Sequence, residues 1–207
     1  SSVVRVAAIS SAISGVLSYA LPRFSAAHPD MLVQIQELDI EHIGALIGTG
    51  EMDVALCRQP EVIPAGWSFT ALASDRLIVA CGPGHPLVKR RSLALQDLWD
   101  ETWMLGPAPS APRKAFDALT ASAGVTPPLR LVSSRSSSVF WSMLQAQNIL
   151  ALLPYRAVYQ MLSTGQLREL DVHVPIPFEA IGVLKPNGEI TDAASGFVSF
   201  LEAMAPA

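Results

Sequence analysis

The sequence predicts an α/β fold in which a strand–helix alternation is laid down once, interrupted and then laid down again. Three observations carry this. Apolar runs at 3–9, 31–38 and 52–57 are separated by stretches with helical spacing at 12–27 and 40–47, an order that implies a parallel sheet with helical crossovers. The break Gly82-Pro83-Gly84-His85-Pro86-Leu87 halts the pattern, and the alternation restarts beyond it. The composition, 50% hydrophobic and 15% charged over 207 residues, supplies enough apolar surface for a full core.

The first strand, Val3-Val4-Arg5-Val6-Ala7-Ala8-Ile9, is valine-rich and reads as a buried parallel strand. Ser10-Ser11 follow, and then Ile13, Val16, Leu17, Ala20, Leu21 and Phe24 recur at helical spacing over 12–27. That helix stops at His28-Pro29, because the residue before a proline resists helical geometry. Residues 31–38 alternate apolar and polar, the pattern of a strand with one wetter face. A short helix over 40–47 places Ile40, Ile43 and Ile47 on one face, with Asp39 at its N-cap and Gly48-Thr49-Gly50 ending it. Residues 52–57 form the third strand, and 67–73 and 76–81 read as two more.

Beyond the break, 93–99 reads as a short helix capped by Ser92, and 102–105 as a strand ending in Gly106-Pro107-Ala108-Pro109-Ser110. Pro112 opens a helix that runs to about Ser122 and closes at Gly124. Strand 129–133 leads through Ser134-Arg135-Ser136-Ser137-Ser138 into a helix over 139–146. Residues 149–153 form a strand stopped by Pro154, 155–162 a helix, and 167–174 and 178–184 strand edges. Asn187-Gly188 is a turn, and Asp192 caps a last amphipathic helix through Met204.

Charge and motif content exclude several functions. With 14 basic and 18 acidic residues the net charge is −4, which argues against a nucleic-acid surface on these residues, since phosphate neutralisation needs a basic patch. The densest basic run, Lys89-Arg90-Arg91, is short and reads as a solvated loop. No apolar stretch is long enough for a membrane helix, and the opening residues do not show the pattern expected of a signal peptide. Cys57 and Cys81 both sit in apolar runs without metal spacing, so reduced buried thiols and a cytoplasmic location are expected. No Gly-x-Ser-x-Gly elbow is present, and His28, His42, His85 and His173 are scattered, so neither catalysis nor a metal or other cofactor is expected.

The residues that suggest binding lie where strands hand over to helices. Ser10 and Ser11 stand at such a junction, where unpaired backbone N–H groups and the positive end of the helix dipole favour an anion. A plain N-cap is the alternative role for either serine. Arg58 follows the third strand at the sheet's carboxyl edge, where a guanidinium can grip a carboxylate, or simply begin an exposed loop. Ser134, Arg135 and Ser136 repeat the arrangement in the second half, or form an ordinary polar loop.

Taken in order, these residues resemble a known family. The matching features are the Arg5-Val6-Ala7 strand leading to Ser11 and Gly15, Leu21-Pro22-Arg23-Phe24, His28-Pro29, and 50–56 (Gly-Glu-Met-Asp-Val-Ala-Leu). They continue with His85-Pro86-Leu87, Leu95-Gln96-Asp97-Leu98 and Ala151-Leu152-Leu153-Pro154. Over essentially its full length the chain resembles the effector-binding domain of LysR-type transcriptional regulators.

The resemblance implies two Rossmann-like subdomains of type 2 periplasmic-binding-protein fold joined by two crossover strands, with an effector in the cleft. On that reading, residues 1–80 plus 182–207 form subdomain I and 81–181 subdomain II. Ser11 matches the effector-contacting hydroxyl after the first strand, and Arg58 a position that helps bind acidic effectors in some members. Ser110 and Ser134 to Ser136 fall in loops that line the cleft of the second subdomain. The family's winged helix-turn-helix, which would carry DNA contact, is not among these residues. The partners implied are a small, anionic effector and further copies of the chain in a homodimer or homotetramer, with Tyr19 and Val33 as interface residues. A periplasmic solute-binding protein of a transporter would share the fold and is the alternative. One departure stands out: Gln147-Asn148-Ile149 occupy the place of the family's usual Gly-x-Gly.

Overall fold

The computed structural model describes residues 2–205. The chain divides into two compact units, Ser1–Asp75 with Glu179–Ala207, and Arg76–Phe178. It passes from one to the other twice, at Asp75–Arg76 and at Phe178–Glu179.

The first unit is built on a five-stranded sheet of order β2-β1-β3-β8-β4. Its strands are β1 (Ser2–Ala8), β2 (Met31–Glu37), β3 (Val54–Arg58), β4 (Trp67–Ala73) and β8 (Ile181–Pro186). β1 runs parallel to β2 and β3, while β8 lies antiparallel between β3 and β4. Both faces are covered, which is why β1 and β3 read as nearly continuous apolar runs. Val4, Val6 and Ala8 pack under helix α1 (residues 10–27) and α6 (Asp192–Ala203), where Phe24 meets Phe197 edge-on at 5.0 Å. Ala7, Ala55 and Cys57 face the opposite way, against Ile43 of α2 (Ile40–Thr49). Gly50 ends α2 with a left-handed φ of 69°, a conformation in which glycine avoids the clash a Cβ would make.

The second unit carries a three-stranded sheet of order β6-β5-β7: β6 (Ala151–Pro154), β5 (Leu77–Cys81) and β7 (Arg168–Glu169). It too is covered on both faces. Leu77, Val79, Leu150 and Leu152 meet Trp99, Trp103 and Phe116 on one side. Ile78, Ala80, Ala151 and Leu153 meet Phe140 and Leu144 on the other. Phe116 comes from α3 (Ala111–Ala123), and Phe140 and Leu144 from α4 (Ser137–Ala146), with the shorter α5 (Tyr159–Ser163) beyond.

Several local expectations need correction. The first helix is not uniform: Ile13–Leu17 form a π turn, and Pro22 lies inside the helix where it removes an amide donor. Residues 102–105 and 129–133 make only single-residue parallel bridges, Trp103 to Leu129 and to Leu150, because prolines at 107, 109, 127 and 128 interrupt the ladders. The segment after the break is a 3-10 turn at Leu95–Leu98 whose N-cap is Ala94, not Ser92. The last helix is capped by the Thr191 side chain, which accepts from the Ala194 amide, with Asp192 its first residue. The division of the chain also falls earlier than expected, at 75/76 and 178/179. β5 pairs with β6 and β7, which places residues 77–81 in the second unit.

Candidate functional site

In the first unit, the parallel strands β1 and β3 end side by side, the Ile9 amide donating to the Leu56 carbonyl at 3.1 Å. Ser10 and Ser11 follow β1 at once, and Arg58 closes β3. Neither serine is the N-cap. Ile9 holds that position in extended conformation (φ −75°, ψ 158°), so Ser10 and Ser11 are the first two helical residues and their amides have no acceptor within the helix. Ser10 is exposed; Ser11 is 6% exposed, with its hydroxyl in none of the hydrogen bonds among the described residues. That leaves the hydroxyl of a buried serine and two backbone donors at the positive end of an 18-residue helical run.

Arg58 is already engaged. Its Nη1 donates to Asp75 Oδ2 at 2.9 Å and to the Glu179 carbonyl at 3.0 Å, and the Asp75 side chain is fully buried. The positive charge is therefore balanced within the unit.

In the second unit, the two serine loops converge on Gly106. A Cβ there would lie 3.7 Å from the Ser134 carbonyl and 4.0 Å from Ser110 Oγ. Ser110 is the N-cap of α3, its hydroxyl accepting from the Arg113 amide at 3.3 Å. Ser136 is the N-cap position of α4 without a side-chain cap bond, and its amide donates to Ser134 Oγ at 3.0 Å. Two helix starts thus share one neighbourhood, with the half-buried Ser110 and Ser134 inside it and Arg135 and Ser136 exposed. Arg113 belongs to the same group, donating through Nη1 to the Gly106 carbonyl at 3.3 Å and through Nε to Asp117 at 3.2 Å. The sequence reading missed it; its place three residues after the capping serine was the available signal.

The remaining reactive groups lie within the cores. Burial pushes the Cys57 and Cys81 thiols up to about 12, opposed weakly by Arg58 and Arg168, so both stay protonated. His85, 4% exposed, accepts from the Leu87 amide through Nδ1, and burial lowers its pKa against the opposing pull of Glu101. Among the described residues, no group of three or more His, Cys, Asp or Glu could hold a metal, and no helix is long and apolar enough to cross a membrane.

The profile of the family described as "LysR substrate binding domain" matches residues 1–206. The chain belongs to that family. Among curated relatives of this LysR-family chain, the HTH-type transcriptional regulator GbpR of Azospirillum brasilense is 30% identical over 159 residues, 75% of this chain and 46% of that protein. The regulator GalR of Pseudomonas putida is 27% identical over 194 residues, 93% of this chain and 49% of that protein. The chain thus spans about half the length of these relatives.

Among solved structures, the CcmR regulatory domain of Synechocystis PCC6803 in complex with 2-PG superposes with a TM-score of 0.79 at 20% identity, covering 99% of this chain and 98% of that one. The BenM effector-binding domain with benzoate gives 0.74 at 20%, covering 98% and 91%. The fold is therefore the two-subdomain, periplasmic-binding-protein-like fold of LysR regulatory domains.

The Gln147-Asn148-Ile149 departure from the family's glycines costs this LysR-type chain no backbone strain. Gln147 closes α4 in extended conformation (φ −134°, ψ 151°), and Ser92 is the one non-glycine residue with positive φ among those described.

Proposed function

We propose that this chain is the ligand-sensing part of a LysR-type transcriptional regulator, acting in the cytoplasm by binding rather than catalysis. A small anionic effector contacts Ser10 and Ser11 in the first unit and Ser110, Ser134, Arg135 and Ser136 in the second. The reading is carried by one observation: each unit presents helix starts furnished with hydroxyls, in a chain matched to the family over residues 1–206. Effector binding favours one arrangement of subunits over another and so changes how an attached DNA-binding domain sits on its operator. The size of that shift is set by the effector's differential affinity for the two arrangements.

Self-association draws support from two exposed apolar edges. β2 borders its sheet and turns Leu32, 50% exposed, outward; Leu131 of the second unit is 93% exposed. Val33 and Tyr19, the interface residues the resemblance implies, are half-buried against the core beneath α1, and Leu32 next to Val33 is the more exposed apolar group on this edge. Such bare apolar groups suit burial against a second copy.

A thermal-shift screen of small carboxylates, followed by calorimetry, tests the proposal. A true effector at a hundred times its Kd stabilises by about 2.7 kcal/mol. Ser11→Ala and Ser110→Ala then weaken binding while leaving the fold intact. A screen in which no carboxylate shifts the melt, or binding indifferent to both substitutions, overturns it. For assembly, wild type sediments as a dimer at tens of micromolar and Leu131→Asp as a monomer; identical sedimentation removes this edge from the interface.

A further inference from the structure

Arg58 sits where the chain leaves and re-enters the first unit. Asp75, its carboxylate partner, is the last residue before the first passage, and Glu179, whose carbonyl it also holds, is the first residue after the second. The next pair of residues repeats the contact, since the Gln59 amide donates to the Ala180 carbonyl at 3.0 Å. One side chain on β3 thereby grips two segments that lie more than a hundred residues apart in sequence.

On the other side of the first passage, Arg76 is held to the second unit. It forms an ion pair with Glu169, lies 4.7 Å from the centroid of the Tyr155 ring, and accepts the Tyr155 amide on its carbonyl at 2.8 Å. Phe178, the last residue before the second passage, packs on the core of the second unit.

We infer that Arg58 is a conformational tie: it couples the two passages, so that the segments on the first unit's side move together. Three features support this. The Asp75 carboxylate is fully buried, so it has no water to replace the guanidinium. Both grips come from the same Nη1, so loosening one perturbs the other. The opposing anchor on Arg76 begins one residue later, leaving no slack in the chain on either side. This role does not depend on which effector binds, or on whether one binds at all.

Amide hydrogen exchange on the whole chain tests the tie. In wild type under mild urea, the amides of Gln59, Glu179 to Ile181 and Asp75 to Leu77 merge into one opening event, distinct from that of β1 and β2. Asp75→Asn, which keeps the volume and removes the charge, raises exchange at both passages at least fivefold and leaves β1 and β2 at wild-type rates. Arg58→Met does the same or more, and the wild-type measurement stands even if that variant does not fold. Acceleration at only one passage, a uniform rise across the unit, or no change overturns the proposal; a uniform rise would make Arg58 a general stabiliser. The effector proposal is left standing by any of these outcomes, because it is read by ligand titration.

Discussion

Gly182 offers a sharp test of how tightly the first sheet is built. It lies mid-sheet on β8, opposite Cys57 of β3 and Ala71 of β4. A Cβ at this position would come 2.3 Å from the Thr70 carbonyl oxygen and 2.4 Å from Cζ of Phe69. The Phe69 ring can swing aside, but the carbonyl is part of the β4 backbone. Reaching even 3.0 Å means parting β4 from β8 by 3.0 − 2.3 = 0.7 Å.

That movement stretches the adjoining ladder bonds, each worth about 1 kcal/mol net. Overpacking adds roughly 1–3 kcal/mol, and the lower entropy of the unfolded alanine chain returns about 0.4–1 kcal/mol. Gly182→Ala should therefore destabilise by about 2–5 kcal/mol, or a Tm lower by roughly 5–15 °C for a chain of this size. Gly196→Ala is the control. It lies inside α6 with nothing within 4 Å of the added carbon, so the same chemical change should stabilise by about 0.5–1 kcal/mol. Urea unfolding followed by circular dichroism reads both. A Gly182→Ala variant within 0.5 kcal/mol of wild type, roughly the scatter of an innocuous surface change, would refute the close approach of Thr70.

Two further predictions concern titratable groups. His85 is neutral in the fold, since its Nδ1 must accept the Leu87 amide, and burial holds its pKa below the ordinary 6.5. The unfolded chain therefore takes up this proton at a higher pH than the folded one, so the contribution of His85 is complete above 6.5 and declines as pH falls toward the lower folded value. Unfolding free energies measured from pH 7.5 to 5 should slope less in His85→Gln than in wild type; parallel slopes would count against the buried neutral ring. Cys57 and Cys81, pushed up to about 12, should resist a thiol reagent at pH 8 in the native state and react once urea unfolds the chain. Rapid labelling of either in the folded protein would contradict its burial.

What was legible in the sequence was local. The Pro112 start and Gly124 stop of α3 and the Gly50 end of α2 depend on backbone chemistry within a few residues, and each stands where its residue type placed it. The hydroxyls at Ser110 and Ser134 to Ser136 were likewise readable as helix starts, though their meeting at Gly106 was not, because some two dozen residues separate the loops in sequence. The N-cap role left open for Ser10 or Ser11 falls to neither, because the β1–β3 bond through the Ile9 amide sets the cap at Ile9.

By itself, then, the sequence determined the α/β alternation and the two-part organisation, since periodic burial and turn chemistry are written in neighbouring residues, and its ordered motifs carried the resemblance to the family. Tertiary structure alone decided which unit owns β5, which face of β2 carries Leu32, and that the charge of Arg58 is matched by Asp75. Each of these is a choice among partners distant along the chain. Such choices are settled by which groups can be buried together with their charges and hydrogen bonds satisfied, and no short window of sequence contains both sides of that comparison.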